Sequence, residues 1–256
     1  MIYAELSAFL MRELRLMHAP VGMRFFFDQK QLEDVKATQS FYSPVKPLTF
    51  CQAELGARME GIPVLLEMDK LWCQGARLVF SLREMEEKDI GRHRKFCTDE
   101  QQAKHFVASK PRFRTSLLAV ALNPLELQPT PPDIVHFCCD NMQAYHLLND
   151  WMAIRDVHPL RPALYVNSAI CGGSVFAFVE RQANLTLACA GSYNSGKMER
   201  GEINVMIPGE DLEAMVLRMQ QRIRETGGIS LTRQGHPFPG ADICQNCPLI
   251  AFKKNS

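Results

Sequence analysis

A chain of 256 residues, 46% of them hydrophobic, is long enough to bury roughly 70–75% of its unfolded surface in one large two-lobed domain or two small ones. Its 29 basic and 28 acidic residues leave a net charge of +1, which withholds the positive excess that phosphate-backbone binding needs, so nucleic acid is not an expected partner. The opening from Met1 to Arg15 has no basic n-region, Glu5, Arg12 and Glu13 interrupt its apolar run, and the longest uncharged stretch, Pro162 to Val179, is eighteen residues with Asn167, Ser168, Gly172, Gly173 and Ser174 inside it. Neither suits a leader or a bilayer span of about 20 apolar residues, and the expectation is a cytoplasmic protein.

Ile2, Leu6, Phe9, Leu10, Leu14 and Met17 recur at helical spacing and predict an opening helix that Pro20 closes. A strand follows over Val21 to Phe27. Pro47 to Met59 has helical composition, and Thr49 as N-cap would set Cys51 in the first turn. The apolar segments Pro63 to Met68 and Ala76 to Leu82 have strand length, which puts Cys73 in their connection, and Ser116 to Leu122 reads as a buried strand.

Gln128-Pro-Thr-Pro-Pro132 cannot run through a helix or a central strand and divides the chain into an N-terminal lobe, 1–127, a C-terminal lobe, 128–230, and a cysteine-containing tail, 231–256. Beyond it come a strand over Asp133 to Cys139 and a helix from Met142 to Ile154. Asp140 or Asn141 would cap that helix, and Ala144, Tyr145, Leu148, Trp151 and Met152 would face the core. Strands over Asn184 to Ala190 and Glu202 to Ile207 precede a last helix, Asp211 to Glu225, closed by Gly227-Gly228. The order predicts an α/β or α+β fold, a mixed sheet with flanking helices.

Nine cysteines in a chain expected to live in a reducing compartment point to metal binding, redox chemistry or burial. Four occur in look-alike settings: Cys51-Gln-Ala-Glu followed by Cys73-Gln-Gly-Ala, and Cys171-Gly-Gly followed by Cys189-Ala-Gly-Ser. The spacings are 22 and 18 residues, which a degenerate internal duplication of the two lobes would explain, although nothing longer than C-x-G-[AS] repeats. Four converging thiolates are what a [4Fe–4S] cluster or a structural zinc requires, so Cys51, Cys73, Cys171 and Cys189 are the candidate ligands. Burial as small hydrophobes is the competing reading, since free cysteine is among the most buried residue types.

Cys244-Gln-Asn-Cys247 is a true C-x-x-C with His236 upstream, and it reads as half of a second metal or thiol-exchange site. Cys138 and Cys139, adjacent in a strand, must face opposite sides, and His136 shares the Cys138 side. The run Arg92-His-Arg-Lys95 could receive an anionic ligand or a redox partner, against the ordinary reading of a solvated charge run. Gly172-Gly173 invites comparison with phosphate loops, as does Gly191-x-x-x-x-Gly196-Lys197. The latter lacks the final Ser or Thr and no apolar helix follows it, so nucleotide hydrolysis is not expected.

Several of these segments carry a resemblance: Ala19-Pro-Val-Gly-Met-Arg-Phe25, the Cys51 helix, Cys73-Gln-Gly-Ala, Gly91-Arg92 with Phe96, Pro132-Asp-Ile-Val135, Gln143-Ala144, and Cys189-Ala-Gly-Ser before Ile207-Pro208. Over about residues 15 to 225 the chain resembles the prokaryotic family called domain of unknown function 169. Where that family's pattern continues with Gly-x-Arg, this chain has Gly191-Ser192-Tyr193. The resemblance implies a cytosolic bacterial or archaeal protein with cysteine-bearing motifs and no assigned activity. Residues and resemblance together predict a metal-binding, iron–sulfur or zinc, redox or electron-transfer protein. The alternative is a small-molecule-binding module with its pocket between two lobes. Expected partners are a redox protein or a small-molecule ligand, with a homo-oligomer compatible with either.

Overall fold

The computed structural model describes residues 2–165, 167–194 and 197–226. Helix α1, Ile2–Leu14, buries Leu6, Leu10 and Leu14. Strand β1, Val21–Phe26, leads to α2, Gln29–Thr38, capped by Asp28, and to α3, Phe50–Glu60, where Thr49 and Gln52 form a reciprocal capping box. After β2, Val64–Glu67, come the short helix α4, Gln74–Val79, then α5, Glu87–Arg94, and α6, Glu100–Ala108. Strands β3, Ala119–Pro124, and β4, Ile134–Cys139, flank the proline-rich connector, and α7, Asn141–Arg155, starts at Asp140 as predicted. The chain continues through α8, Ala169–Glu180, β5, Asn184–Thr186, α9, Ala190–Tyr193, β6, Ile203–Pro208, and α10, Leu212–Thr226.

The six strands form one sheet in the order β2-β3-β1-β4-β6-β5, and every pairing is antiparallel. What is mixed is the succession of helices and strands, not the direction of the sheet. The two halves repeat one plan. In each, the third strand lies between the second and the first, and the two first strands meet at the centre, where Val21 faces His136, Gly22 faces Val135 and Met23 faces Ile134. Pro124 pairs with Val21 and Pro208 with Ile134. Each proline opens a 3-10 turn whose first N–H returns to the residue before the first strand, Leu125 to the Pro20 carbonyl at 2.8 Å and Gly209 to the Asp133 carbonyl at 2.9 Å. Gly209 must be glycine, because a β-carbon there would fall 1.8 Å from the Pro132 carbonyl oxygen.

Side-chain alternation gives the sheet two buried faces. On one, Met23, Leu66, Val120, Ile134 and Met206 pack under α3, α4 and α8. On the other, Val135, Phe137, Val205 and Ile207 pack against α1, α7 and α10, while Phe26, Leu65 and Ala121 pack against α2. The expected lobe boundary at 127/128 falls between the 3-10 turn and β4, yet the sheet crosses it unbroken and both main cores draw on either side of it. Among the described residues no helix is long and apolar enough to cross a membrane.

Three local expectations change. Ala76 to Leu82 is not a strand: Ala76, Val79 and Phe80 fall on one buried helical stripe of α4 and its exit, and a short apolar run carries no period that separates the two states. The predicted strand Asn184 to Ala190 stops at Thr186, and Cys189 instead caps α9. On α7, Tyr145 is 60% exposed while His146, Leu147 and Asp150 turn inward. The expected tail, with the closing Gly227-Gly228, lies outside the described residues.

Candidate functional site

Each of the four look-alike cysteines sits at the start of a helix on the same face of the sheet. The Thr49 cap makes Cys51 the second residue of α3, and Cys171 is the third residue of α8. Cys51 lies thirteen residues before Val64 and Cys171 thirteen before Asn184, the first residues of β2 and β5. Cys73 and Cys189 are the N-cap residues of α4 and α9. Gly75 and Gly191 follow two residues later, and a β-carbon at either would stand 3.9 or 3.8 Å from the preceding cysteine sulfur. At Gly75 it would also crowd Ser168 Oγ at 2.9 Å, so this glycine permits α4 to approach the start of α8.

The structure links the four sulfurs electrostatically: Cys51 lies within reach of the other three, and Cys171 within reach of Cys73 and Cys189. The Cys51 thiol donates to the Cys189 sulfur, which pushes Cys51 well up, with burial and the neighbouring Cys171, Cys189 and Cys73 adding to it. The same bond draws Cys189 down to about 4 against its burial, aided by a hydrogen bond with Ser192 Oγ 3.4 Å away and by the backbone N–H groups of Ser192 and Ala169. Burial, then Cys73 and Cys189, push Cys171 up, and Lys110 opposes them. The pair Cys51 and Cys189 is therefore a thiol facing a thiolate over much of the pH scale.

A buried polar clamp lies one turn further along α3. Glu54 and Arg58 pair at 2.9 Å, and Glu54 also meets His136 Nδ1 at 3.1 Å, whose Nε2 lies 3.0 Å from Asn204 Oδ1. Burial alone would raise the Glu54 carboxyl, but His136 and Arg58 outweigh it and hold the group below its usual range. Arg58 Nη2 donates to the Lys197 carbonyl at 2.7 Å, and Asn204 Nδ2 donates to the Thr186 and Leu187 carbonyls. The clamp thus ties the Cys51 helix to both sides of the Cys189 segment.

The remaining candidates sit elsewhere. Cys138 and Cys139 take opposite faces of β4, and burial pushes both thiols up. Both ring nitrogens of His136 are engaged within the clamp, which leaves neither for a metal with Cys138. Gly172-Gly173 forms no phosphate loop. Both lie inside α8, where a β-carbon on Gly173 would come 2.8 Å from Met206 Cε, so the glycine lets the helix settle on the sheet. Arg92, His93 and Arg94 are the last turn of α5, followed by its cap Lys95. Cys244, Cys247 and His236 lie outside the described residues.

Two participants escaped the sequence reading. The Glu54–Arg58 pair shares a helix stripe with Cys51, Ala53 and Ala57, and charges on an otherwise apolar stripe are a readable signal of a buried network. Lys110, in Ser109-Lys110-Pro111, carried no signal. Among the described residues all seven cysteines are free, and no three or more His, Cys, Asp or Glu side chains are already arranged to hold a metal ion. Away from the thiols, a cavity of about 700 Å³ is lined by Phe27, Phe113 and Phe178 with Arg114, Asp133 and Glu210 around them.

The fold and the cluster define an α+β protein with a single antiparallel sheet and four thiols gathered at helix starts on one face. The chain belongs to the family of domain of unknown function 169, described as uncharacterised ArCR, whose model matches residues 9–218. No curated protein matches it, and no solved structure does.

Proposed function

We propose that Cys51, Cys73, Cys171 and Cys189 hold a metal centre, an iron–sulfur cluster or alternatively zinc, and that the protein serves electron transfer or related redox chemistry in the reducing cytoplasm. The observation that carries this reading is the gathering of four thiols from four separate elements into one electrostatically linked group. Burial as small hydrophobes would not call for four cysteines at matched positions of two halves. A bound cluster would supply a one-electron couple. The chain's own contribution is to fix two of the thiols at the starts of the long helices α3 and α8, where the helix dipole favours negative sulfur. The clamp of Glu54, Arg58 and Asn204 sets the Cys189 segment against α3. Closure onto a metal requires the sulfurs to move together to bonding distance, about 2.3 Å from the metal.

Anaerobic purification followed by absorption spectroscopy and metal analysis tests the reading. A brown protein with iron and sulfide at about four each supports the cluster, and stoichiometric zinc supports the alternative metal. A colourless, metal-free protein that takes up neither after reduction and reconstitution sinks both.

A second reading has its own observation, the cavity that joins both sides of the connector. Phe27, Phe113 and Phe178 give it an edge-packed aromatic wall, with centroids 5.0 Å apart for Phe27 and Phe113 and 5.4 Å for Phe113 and Phe178. Its size and its few polar groups suit a small molecule. On this reading the protein is a binding module, and ligand-induced thermal stabilisation that survives loss of the cysteines is the result expected.

A further inference from the structure

The matched plan of the halves is broken in several places, one of them beside the thiols. Between α4 and β3 the first half carries α5 and α6, whereas α9 in the second half runs almost directly into β6. The inserted segment is fastened beside the thiols. Arg83 grips Asp89 through two bonds of 2.6 and 2.7 Å and donates to the carbonyl of Gln74, the residue after Cys73. His93 Nδ1 donates to the Asp89 carbonyl at 2.7 Å, which leaves Nε2 as an acceptor for the Lys110 ammonium 3.2 Å away. Lys110 also reaches Ser168 Oγ, at 3.4 Å, at the start of α8.

Lys110 is only 5% exposed, and it enters no ion pair among the described residues. Its direct partners are neutral. Asp89, the acidic side chain nearest in this network, is occupied by Arg83. The other groups within its electrostatic reach are the sulfurs of Cys171, Cys73 and Cys189, which become negative on binding a metal, and its partner Ser168 shares with Cys73 the space beside Gly75. A buried cation is kept where negative charge offsets its desolvation, and here the thiols are the groups placed to do so. A metal held by four thiolates carries net negative charge in either of the forms proposed above, so one buried ammonium lowers the cost of assembling it.

We propose that Lys110 is the built-in countercharge of the four-cysteine metal site, delivered by the inserted α5–α6 segment and aimed by His93 and Ser168. The inference rests on the metal-binding reading. It assigns Lys110 a role through the cysteines, not as a ligand.

The test uses the reduced full chain with zinc alone as the probe, affinity being read by competition with a chromophoric chelator. Lys110→Met and Lys110→Gln are expected to bind zinc about tenfold more weakly or worse, and Lys110→Arg to stay within about threefold of the parent. Thermal unfolding of the metal-free proteins separates this from a packing role, because removing an unpaired buried charge should leave the midpoint unchanged or raise it. If an iron–sulfur cluster is reconstituted, its midpoint potential should move negative in Lys110→Met, since the lost positive charge disfavours the added electron. Unaltered zinc affinity in both neutral variants overturns the inference while leaving the metal reading intact. So does a loss of affinity that Lys110→Arg shares together with a lowered metal-free midpoint. A parent chain that binds neither zinc nor iron removes the metal reading and this inference with it.

Discussion

Glu54 on α3 meets His136 on β4, and at the matching positions of the other half Ser174 on α8 meets Met23 on β1, its hydroxyl 3.5 Å from the thioether sulfur. Each cysteine helix lies on the strands of its own half and reaches one side chain to the first strand of the other, and α3 and α8 meet over the centre of the sheet, which brings Cys51 and Cys171 to one place. The chemistry of the two contacts differs completely. Around Met23 the equivalent sheet positions are Leu66 and Val120, both in the apolar core, whereas around His136 they are Thr186 and Asn204. The comparison teaches that one geometry can be held by packing or by a charged network, and that only the network reaches out to fix a loop. The Cys189 segment is short, Ile203 following Cys189 by 14 positions where Ala119 follows Cys73 by 46, and it borrows Arg58 and Asn204 to hold it.

Breaking the charged contact should have the largest effect. Glu54→Ala strands Arg58 and His136 in a dry site and is expected to cost about 3–5 kcal/mol in urea unfolding. Ser174→Ala, at the matching contact, removes one weak bond and should cost under about 1 kcal/mol. Because Glu54 is held below its usual range, its contribution is fully present above about pH 5 and fades as acid titrates the folded carboxyl. Equal losses for the two substitutions, or a Glu54→Ala difference that persists undiminished in strong acid, would show that the clamp does not carry the asymmetry.

A middle-sized effect separates the cysteines. Cys138→Ser puts a hydroxyl into the strand core and should cost about 1–3 kcal/mol, with metal content after reconstitution unchanged. Cys73→Ser, at a half-buried N-cap, should leave the fold nearly as stable and abolish metal uptake. Equal metal content in the two variants would end the ligand assignment.

Much of this frame was legible in the residues, and what was not has physical causes. Thr49 and Asp140 announced their helices because a cap is a local hydrogen-bond device. Helix α8 was not assigned because Ala169 to Ala177 is buried on almost every side, so its sequence has no polar face to set a period. The matched contexts of Cys51, Cys73, Cys171 and Cys189 were visible. The meeting of α3 and α8 was not, because it depends on β1 and β4 pairing at the centre of the sheet. Lys110 belongs to the same category, as only the tertiary arrangement reveals which lysine is buried.

The smallest effect sharpens the comparison of Cys73 and Cys189, twin N-caps with different neighbours. Cys189 accepts from the Cys51 thiol and from the backbone N–H groups of Ser192 and Ala169, and with the Ser192 hydroxyl beside it is held ionised down to about 4. In the reduced, metal-free chain, iodoacetamide at about pH 6 should therefore alkylate Cys189 ahead of Cys51, Cys138 and Cys139, because the thiolate is the nucleophile and those three thiols are pushed up. Its rate should climb as pH rises through about 4 and then level off, where an ordinary thiol would still be gaining near pH 8. Ser192→Ala removes one hydrogen-bonding neighbour and leaves Cys51 and the backbone donors, so the inflection should move upward without reaching that of an ordinary cysteine. Peptide mapping of the alkylated chain reads the order directly. Modification of Cys51 before Cys189 would reverse the donor and acceptor of the pair, and with them the reading of Cys189 as its thiolate member.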